Sequence, residues 1–233
     1  MQLTFTDRTV RVHTSVLAGA EKRLLVRIAR TLPGWLTSDH LTALGAVAMI
    51  GVGAAFWAGG AALLAVAPLL VLNWFGDSLD GTLARVRQCE RPRYGYYVDH
   101  VLDAVGVGAL VAGMILGGHA TPVPALLFLS AYYLLLTDVA LATHARGTFR
   151  LSFWNIGPTE LRIVLAAGAL QLMRSETVTV AGRAILLFNA GCGIGAFGLI
   201  LTFFVSAIRN GLALYREERV PPAAPHPPHP APR

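Results

Sequence analysis

With 55% hydrophobic and only 14% charged residues in a length of 233, and a mean hydropathy of +0.57, the chain is too apolar for an ordinary soluble domain, which is nearer a quarter charged. The net charge of +6 does not mark a nucleic-acid binder, because nearly all of the 19 Lys and Arg fall in segments that one topology puts on a single membrane face. The two cysteines, Cys89 in a charged loop and Cys192 in an apolar run, belong at different depths, so no disulfide is expected.

The first residues include Asp7, Arg8 and Arg11, and no apolar core precedes a small-residue cleavage site, so they do not read as a secretory signal. Residues 21–36 mix Lys22, Arg23, Arg27 and Arg30 with Leu, Val, Ile and Trp, and predict an amphipathic helix on the membrane interface. Thr37, Ser38 and Asp39 then offer capping oxygens to the next helix. Six apolar segments follow, near 40–59, 61–85, 95–117, 122–143, 158–174 and 183–208. A span needs about 20 such residues, and helices are the default because backbone polar groups must be satisfied within the bilayer. With the N-terminus inside, the inner segments hold Lys22, Arg23, Arg27 and Arg30; Arg85, Arg87, Arg91 and Arg93; Arg146 and Arg150; and Arg209, Arg216 and Arg219. The outer loops hold only Arg174 and Arg183, which predicts cytoplasmic termini and a cytoplasmic face for the inner segments.

The expected fold is all-α: a bundle of six transmembrane helices with an N-terminal interfacial helix. Residues 1–38 form the cytoplasmic N-terminus, 39–213 the membrane domain, and 214–233 a Pro/His-rich disordered tail in which His226 and His229 are incidental.

The chemistry concentrates in 73–103, NWFGDSLDGTLARVRQCERPRYGYYVDHVLD. Asp77 and Asp80 are three apart and share a helix face, which Gly81 and Ala84 continue with almost no side chain. Asp99 and Asp103 are four apart on the next helix, with Gly95 one turn before Asp99. A short basic loop between the two predicts antiparallel neighbours with all four carboxylates at the cytoplasmic end. Four carboxylates at membrane depth cost several kcal/mol unless compensated. One Asp–Arg pair would suit simple pairing with Arg85, Arg87, Arg91 or Arg93; four aspartates on two faces flanked by small residues do not. Oxygen-only donors suit Mg²⁺, Mn²⁺ or Ca²⁺, and Arg85 adds a fixed charge for phosphate. Intramembrane carboxylates also mark cation and proton transporters, but those place them near the midplane, not at one end beside arginines that repel a cation.

The pattern Asp77-x2-Asp80-Gly81-x2-Ala84-Arg85-x9-Gly95-x3-Asp99-x3-Asp103 resembles the signature of the class I CDP-alcohol phosphotransferases. The likeness extends more loosely over residues 20–215, with one departure: Thr37-Ser38-Asp39 stands where the family often has Thr-Pro-Asn. The resemblance implies transfer of a phosphatidyl or phosphoalcohol group from a CDP-linked donor to an alcohol, releasing CMP. It implies that Asp77, Asp80 and Asp99 hold Mg²⁺ or Mn²⁺, that Gly81, Ala84, Arg85 and Gly95 shape the nucleotide site with Asp77, and that Asp103 is the base and a further metal contact. It also implies a homodimer. The donor is read as CDP-diacylglycerol and the acceptor as a polar alcohol; the alternative is a CDP-linked headgroup acting on diacylglycerol.

Other residues weigh less. Asp138 reads equally as a substrate contact or as a carboxylate bonded to a neighbouring helix. Pro158 and Glu160 read as helix-start residues, and His100 as packing. Gly45, Gly51, Gly53, Gly106 and Gly108 permit close helix contacts, within the chain or between two copies. Arg162 lies early in an apolar helix and needs an anionic partner, either Asp138 or a ligand phosphate. It is therefore expected, with Arg146 and Arg209, to bind a phosphorylated acceptor such as inositol phosphate or glycerol phosphate.

Overall fold

The computed structural model describes residues 18–146 and 158–218. Its first helix, α1 (Ala18–Thr31), turns Leu25 and Ala29 inward and leaves Lys22, Arg23, Arg27 and Arg30 exposed. Leu25 and Ala29 pack against Leu41, Leu79 and Leu83, so the apolar stripe of α1 covers one end of the bundle. The helix stops before Pro33, five residues short of the predicted 36, because proline disfavours helical geometry in the residue before it.

The next helix, α2 (Ser38–Ala58), starts at a Thr37 cap. The Thr37 hydroxyl accepts from the His40 amide and the His40 ring Nδ1 accepts from the Thr37 amide, a reciprocal capping box in which histidine stands in for the usual Glu. Of the other two expected capping residues, Asp39 instead accepts from Arg91, whose guanidinium it holds above its ordinary pKa. Ser38 reaches across to the next helix, as described below.

The second apolar segment begins as a 3₁₀ run, Gly60–Ala65, and continues as α3 (Val66–Val86). Then come α4 (Pro92–Leu116), opened by proline in its first turn, and α5 (Pro122–Arg146). Next is α6 (Pro158–Leu172), then a hairpin of β1 (Thr177–Val180) and β2 (Arg183–Leu186), and α7 (Leu187–Glu217). The hairpin turns on Ala181 and Gly182, both at positive φ, as a tight two-residue loop demands.

Among the described residues, five helices are long and apolar enough to cross a membrane: α2, α3 with its 3₁₀ lead-in, α4, α5 and α7. The fifth predicted span falls short of that measure: α6 has 15 residues. At 1.5 Å per residue it rises about 22 Å against a hydrocarbon core of about 30 Å. The sixth predicted segment also shifts. Residues 183–186 are strand, and α7 runs through Glu217, beyond the expected domain boundary at 213, because Arg209 and Arg216 end the apolar run without ending the helix. Residues 219–233, including His226 and His229, lie outside the described residues.

The predicted side-by-side packing of the two aspartate helices is corrected: α2 packs along both α3 and α4 and bridges them. Missing side chains explain why α2 can do this. A Cβ placed on Gly76 of α3 would stand 2.5 Å from the Leu41 carbonyl oxygen and 2.6 Å from the Gly45 nitrogen. On the other side, a Cβ on Gly113 of α4 would run into the Gly53 carbonyl. Backbone therefore meets backbone at both crossings, the small-residue packing that membrane helices use in place of a hydrophobic driving force. Gly76→Val should therefore destabilise the bundle by several kcal/mol, about the range of severe core overpacking. A detergent unfolding curve indistinguishable from that of the native protein would contradict this packing.

The core runs through Val52, Phe56, Val66, Leu70, Val111 and Met114, closed by Leu172 and Phe188. The second layer is α5 against α7. There the Asp138 carboxylate accepts from the Ser206 hydroxyl, a bond between neighbouring helices as one of its two readings expected. His100 likewise packs locally: its ring lies 4.1 Å from that of Tyr96 and 2.8 Å from the Tyr96 carbonyl oxygen. Both cysteines are free.

Candidate active site

The aspartates of α3 sit over the first turns of α2. Asp80 is buried, and its carboxylate is held from two directions: the Thr42 hydroxyl donates to Oδ2 at 2.6 Å and the Gly81 amide donates to Oδ1. The Ser38 hydroxyl donates to the Asp80 carbonyl oxygen at 3.0 Å. Ser38 and Thr42 are four apart, so one face of α2 touches Asp80 twice. Asp77 stands one turn earlier, where Gly45 lets α2 press against the α3 backbone.

Asp77 has a partner that the sequence reading did not identify. The Arg162 guanidinium donates to Asp77 Oδ2 at 2.6 Å through one nitrogen and to Asn73 Oδ1 at 2.7 Å through Nε. Asn73 in turn donates to the Gly45 carbonyl at 3.0 Å. Of the two partners expected for Arg162, the protein one is thus corrected from Asp138 to Asp77 with Asn73. The 16% exposed Arg162 side chain needed an anion, and α6 lies against α3, not against Asp138 on α5.

Across from α3, Asp99 is half-buried and Asp103 exposed on α4. Asp80 lies within charge-interaction range of Asp77 and Asp99, and Asp103 within range of Asp77, Asp80 and Arg162. The two helices therefore bring all four carboxylates to one end of the bundle. The arginines weighed as structural partners are partly committed elsewhere. Arg87 donates to the carbonyls of Leu32, Pro33 and Leu36, and Arg91 binds Asp39. Arg87 thus ties the end of α3 to the turn before α2, and Arg91 ties the loop after α3 to the first turn of α2. Arg85 donates to Thr82 at 3.2 Å and its guanidinium lies beside Gly81. Ala84 is buried, and open space surrounds the position that a Cβ on Gly95 would take.

The donor set fits a hard divalent cation in charge and atom type, since like-charged oxygens at this depth need a positive partner. Among the described residues, no three His, Cys, Asp or Glu groups converge on a common point. Asp77 is turned to Arg162 and Asp80 to Thr42 instead.

Of the three expected acceptor residues, Arg162 alone is joined to the aspartates by a described contact. Arg209 is exposed on α7, and the Arg146 side chain and all of Arg150 lie outside the described residues. Ser38, Thr42 and Asn73 were missed. In sequence, Ser38 reads as a cap, Thr42 as an ordinary helix residue and Asn73 as part of an apolar run. Only their helical spacing from Gly45 and Asp77 hinted at a shared face.

No curated protein sequence matches the chain. Among solved structures, the fold is similar to phosphatidylinositol phosphate synthase of Mycobacterium tuberculosis with CDP-DAG bound. That match has 22% identity and a TM-score of 0.57, and covers 83% of this chain and 94% of that one. The same enzyme in complex with manganese and citrate matches at 22% identity and a TM-score of 0.53, over 83% and 87% of the two chains. The family model for CDP-alcohol phosphatidyltransferase matches residues 35–207, a stretch that starts just before the Thr37 cap and takes in Asp77, Asp80, Asp99, Asp103, Arg162 and most of α7. That match over most of the sequence establishes that the chain belongs to the CDP-alcohol phosphatidyltransferase family.

Proposed function

We propose that the chain transfers the phosphatidyl group of CDP-diacylglycerol to a phosphorylated polar alcohol, of the kind of inositol phosphate or glycerol phosphate, and releases CMP. The observation that carries this reading is the Arg162 guanidinium, held by Asn73 against Asp77 and within charge range of Asp103. A planar guanidinium binds phosphate through paired hydrogen bonds, so an acceptor phosphate on Arg162 puts its hydroxyl near Asp103. Arg146 and Arg209 join Arg162 in this role on the strength of topology. CDP-diacylglycerol bound to the mycobacterial enzyme supports the choice of donor.

Asp103 takes the proton from the acceptor hydroxyl. The freed oxygen attacks the phosphorus that carries diacylglycerol, the bond from that phosphorus to the CMP oxygen breaks, and the electron pair leaves with CMP. Asp77, Asp80 and Asp99, with Asp103 beside them, would hold Mg²⁺ or Mn²⁺, which when bound neutralises charge on the pyrophosphate. Gly81, Ala84, Arg85 and Gly95, with Asp77, shape the nucleotide site: the small residues leave room for the ligand and Arg85 faces its phosphates.

In this reading the chain crosses the cell membrane six times, with α6 as a short span, α1 on the interface, and the site and both termini cytoplasmic. It works as a homodimer. The arginine distribution supports this orientation.

Arg162→Ala should raise the acceptor KM by about 10- to 100-fold, the worth of one or two charge-assisted hydrogen bonds, and change the donor KM far less. Steady-state kinetics in each substrate checks this. Equal losses in both, or a preference for free inositol or serine, would contradict a phosphorylated acceptor.

A further inference from the structure

Thr42 is one of the residues that no sequence signal marked, and its hydroxyl has a choice. It lies 3.1 Å from the Ser38 carbonyl of its own helix and 2.6 Å from Asp80 Oδ2 on α3. A hydroxyl has one proton, and the shorter contact is to the charged acceptor, which makes the stronger bond. The back-bond to the preceding turn is the ordinary resting place for a helical threonine, as Thr82, Thr143 and Thr202 show here. Thr42 alone of these also meets a carboxylate.

The surroundings leave Asp80 little freedom. It is buried, its main chain is pinned by Ser38, and its other oxygen takes the Gly81 amide. The backbone contact at Gly45 and Gly76 fixes the distance between α2 and α3, so the Thr42 oxygen stays in reach of Asp80.

We infer that Thr42 is a positioning residue: its hydroxyl orients the Asp80 carboxylate for the divalent ion, and the ion's affinity depends on that one hydrogen bond. This rests on the proposed ion site. Groups that hydrogen-bond a ligating side chain fix its orientation, and losing one typically costs about 10- to 100-fold in metal affinity.

The test uses purified full-length protein in detergent and Mn²⁺ alone, titrated by loss of the free-ion EPR signal. Asp80→Asn comes first: undiminished Mn²⁺ binding by that variant contradicts the ion site itself. The Thr42 series then isolates the hydroxyl. Thr42→Val keeps the shape and Thr42→Ala relieves any crowding, and each should bind Mn²⁺ about 10-fold more weakly. Thr42→Ser should restore affinity to within about threefold, since it returns only the oxygen. Native affinity in either apolar variant overturns the inference, and so does a Thr42→Ser variant no better than Thr42→Ala, which would assign the loss to shape. If Thr42→Val fails to fold, the Ala and Ser pair decides alone.

Discussion

Asp103→Asn should lower CMP release by about 10²–10⁴-fold, the usual contribution of a positioned general base, while CDP-diacylglycerol binding changes little. The substitution keeps the shape of the side chain and removes its basicity. Asp103 is exposed on α4 and within charge range of Arg162, while Asp77, also exposed, is bonded to that guanidinium. That is where an acceptor held by the guanidinium would present its hydroxyl. Asp80, by contrast, is buried and bonded on both oxygens, a poor arrangement for a group that must collect and return a proton. Turnover and donor binding should therefore separate in Asp103→Asn and fall together in Asp80→Asn. Near-native CMP release by Asp103→Asn would remove Asp103 from the role of base.

Excess chelator should silence the enzyme, and Mg²⁺ or Mn²⁺ should restore it. The expected loss is to background, because four mutually repelling carboxylates cannot hold a doubly charged pyrophosphate without a cation between them. Asp77→Ala should weaken nucleotide binding as well as ion binding. It has a second consequence, since it also strips Arg162 of its anion and leaves a mostly buried guanidinium uncompensated. The variant should thus be less stable than Asp99→Ala. Full activity in excess chelator would refute the metal site.

The grouping of the four aspartates was legible because it is local. Helical spacing alone puts Asp77 with Asp80 and Asp99 with Asp103, and the short loop brings the pairs to one end. The partners were not legible, because each comes from a distant helix: Thr42 reaches Asp80 and Arg162 reaches Asp77 through tertiary packing. The Gly45–Gly76 and Gly53–Gly113 crossings show why. Glycines reveal that two backbones approach closely, but not which two, so α2 as the bridge between α3 and α4 stayed hidden. Hydropathy located the spans but blurred their ends. It ran the last span through β2, whose residues Ala184, Ile185 and Leu186 are as apolar as the helix that follows. It stopped α7 at its arginines, although a helix continues into water without penalty to its backbone hydrogen bonds.

The proposed reaction moves a phosphatidyl group from CDP-diacylglycerol onto a phosphorylated alcohol. The most direct measurement is CMP release by purified protein given CDP-diacylglycerol, Mg²⁺ and one acceptor at a time. Inositol phosphate, glycerol phosphate, free inositol, glycerol and serine make the panel. CMP release is expected with a phosphorylated member, matched mole for mole by a new phospholipid and lost in Asp103→Asn. CMP release only with an unphosphorylated acceptor would overturn the role given to Arg162. No CMP release with any acceptor, in a protein that instead converts diacylglycerol with a CDP-linked headgroup, would contradict phosphatidyl transfer from CDP-diacylglycerol itself.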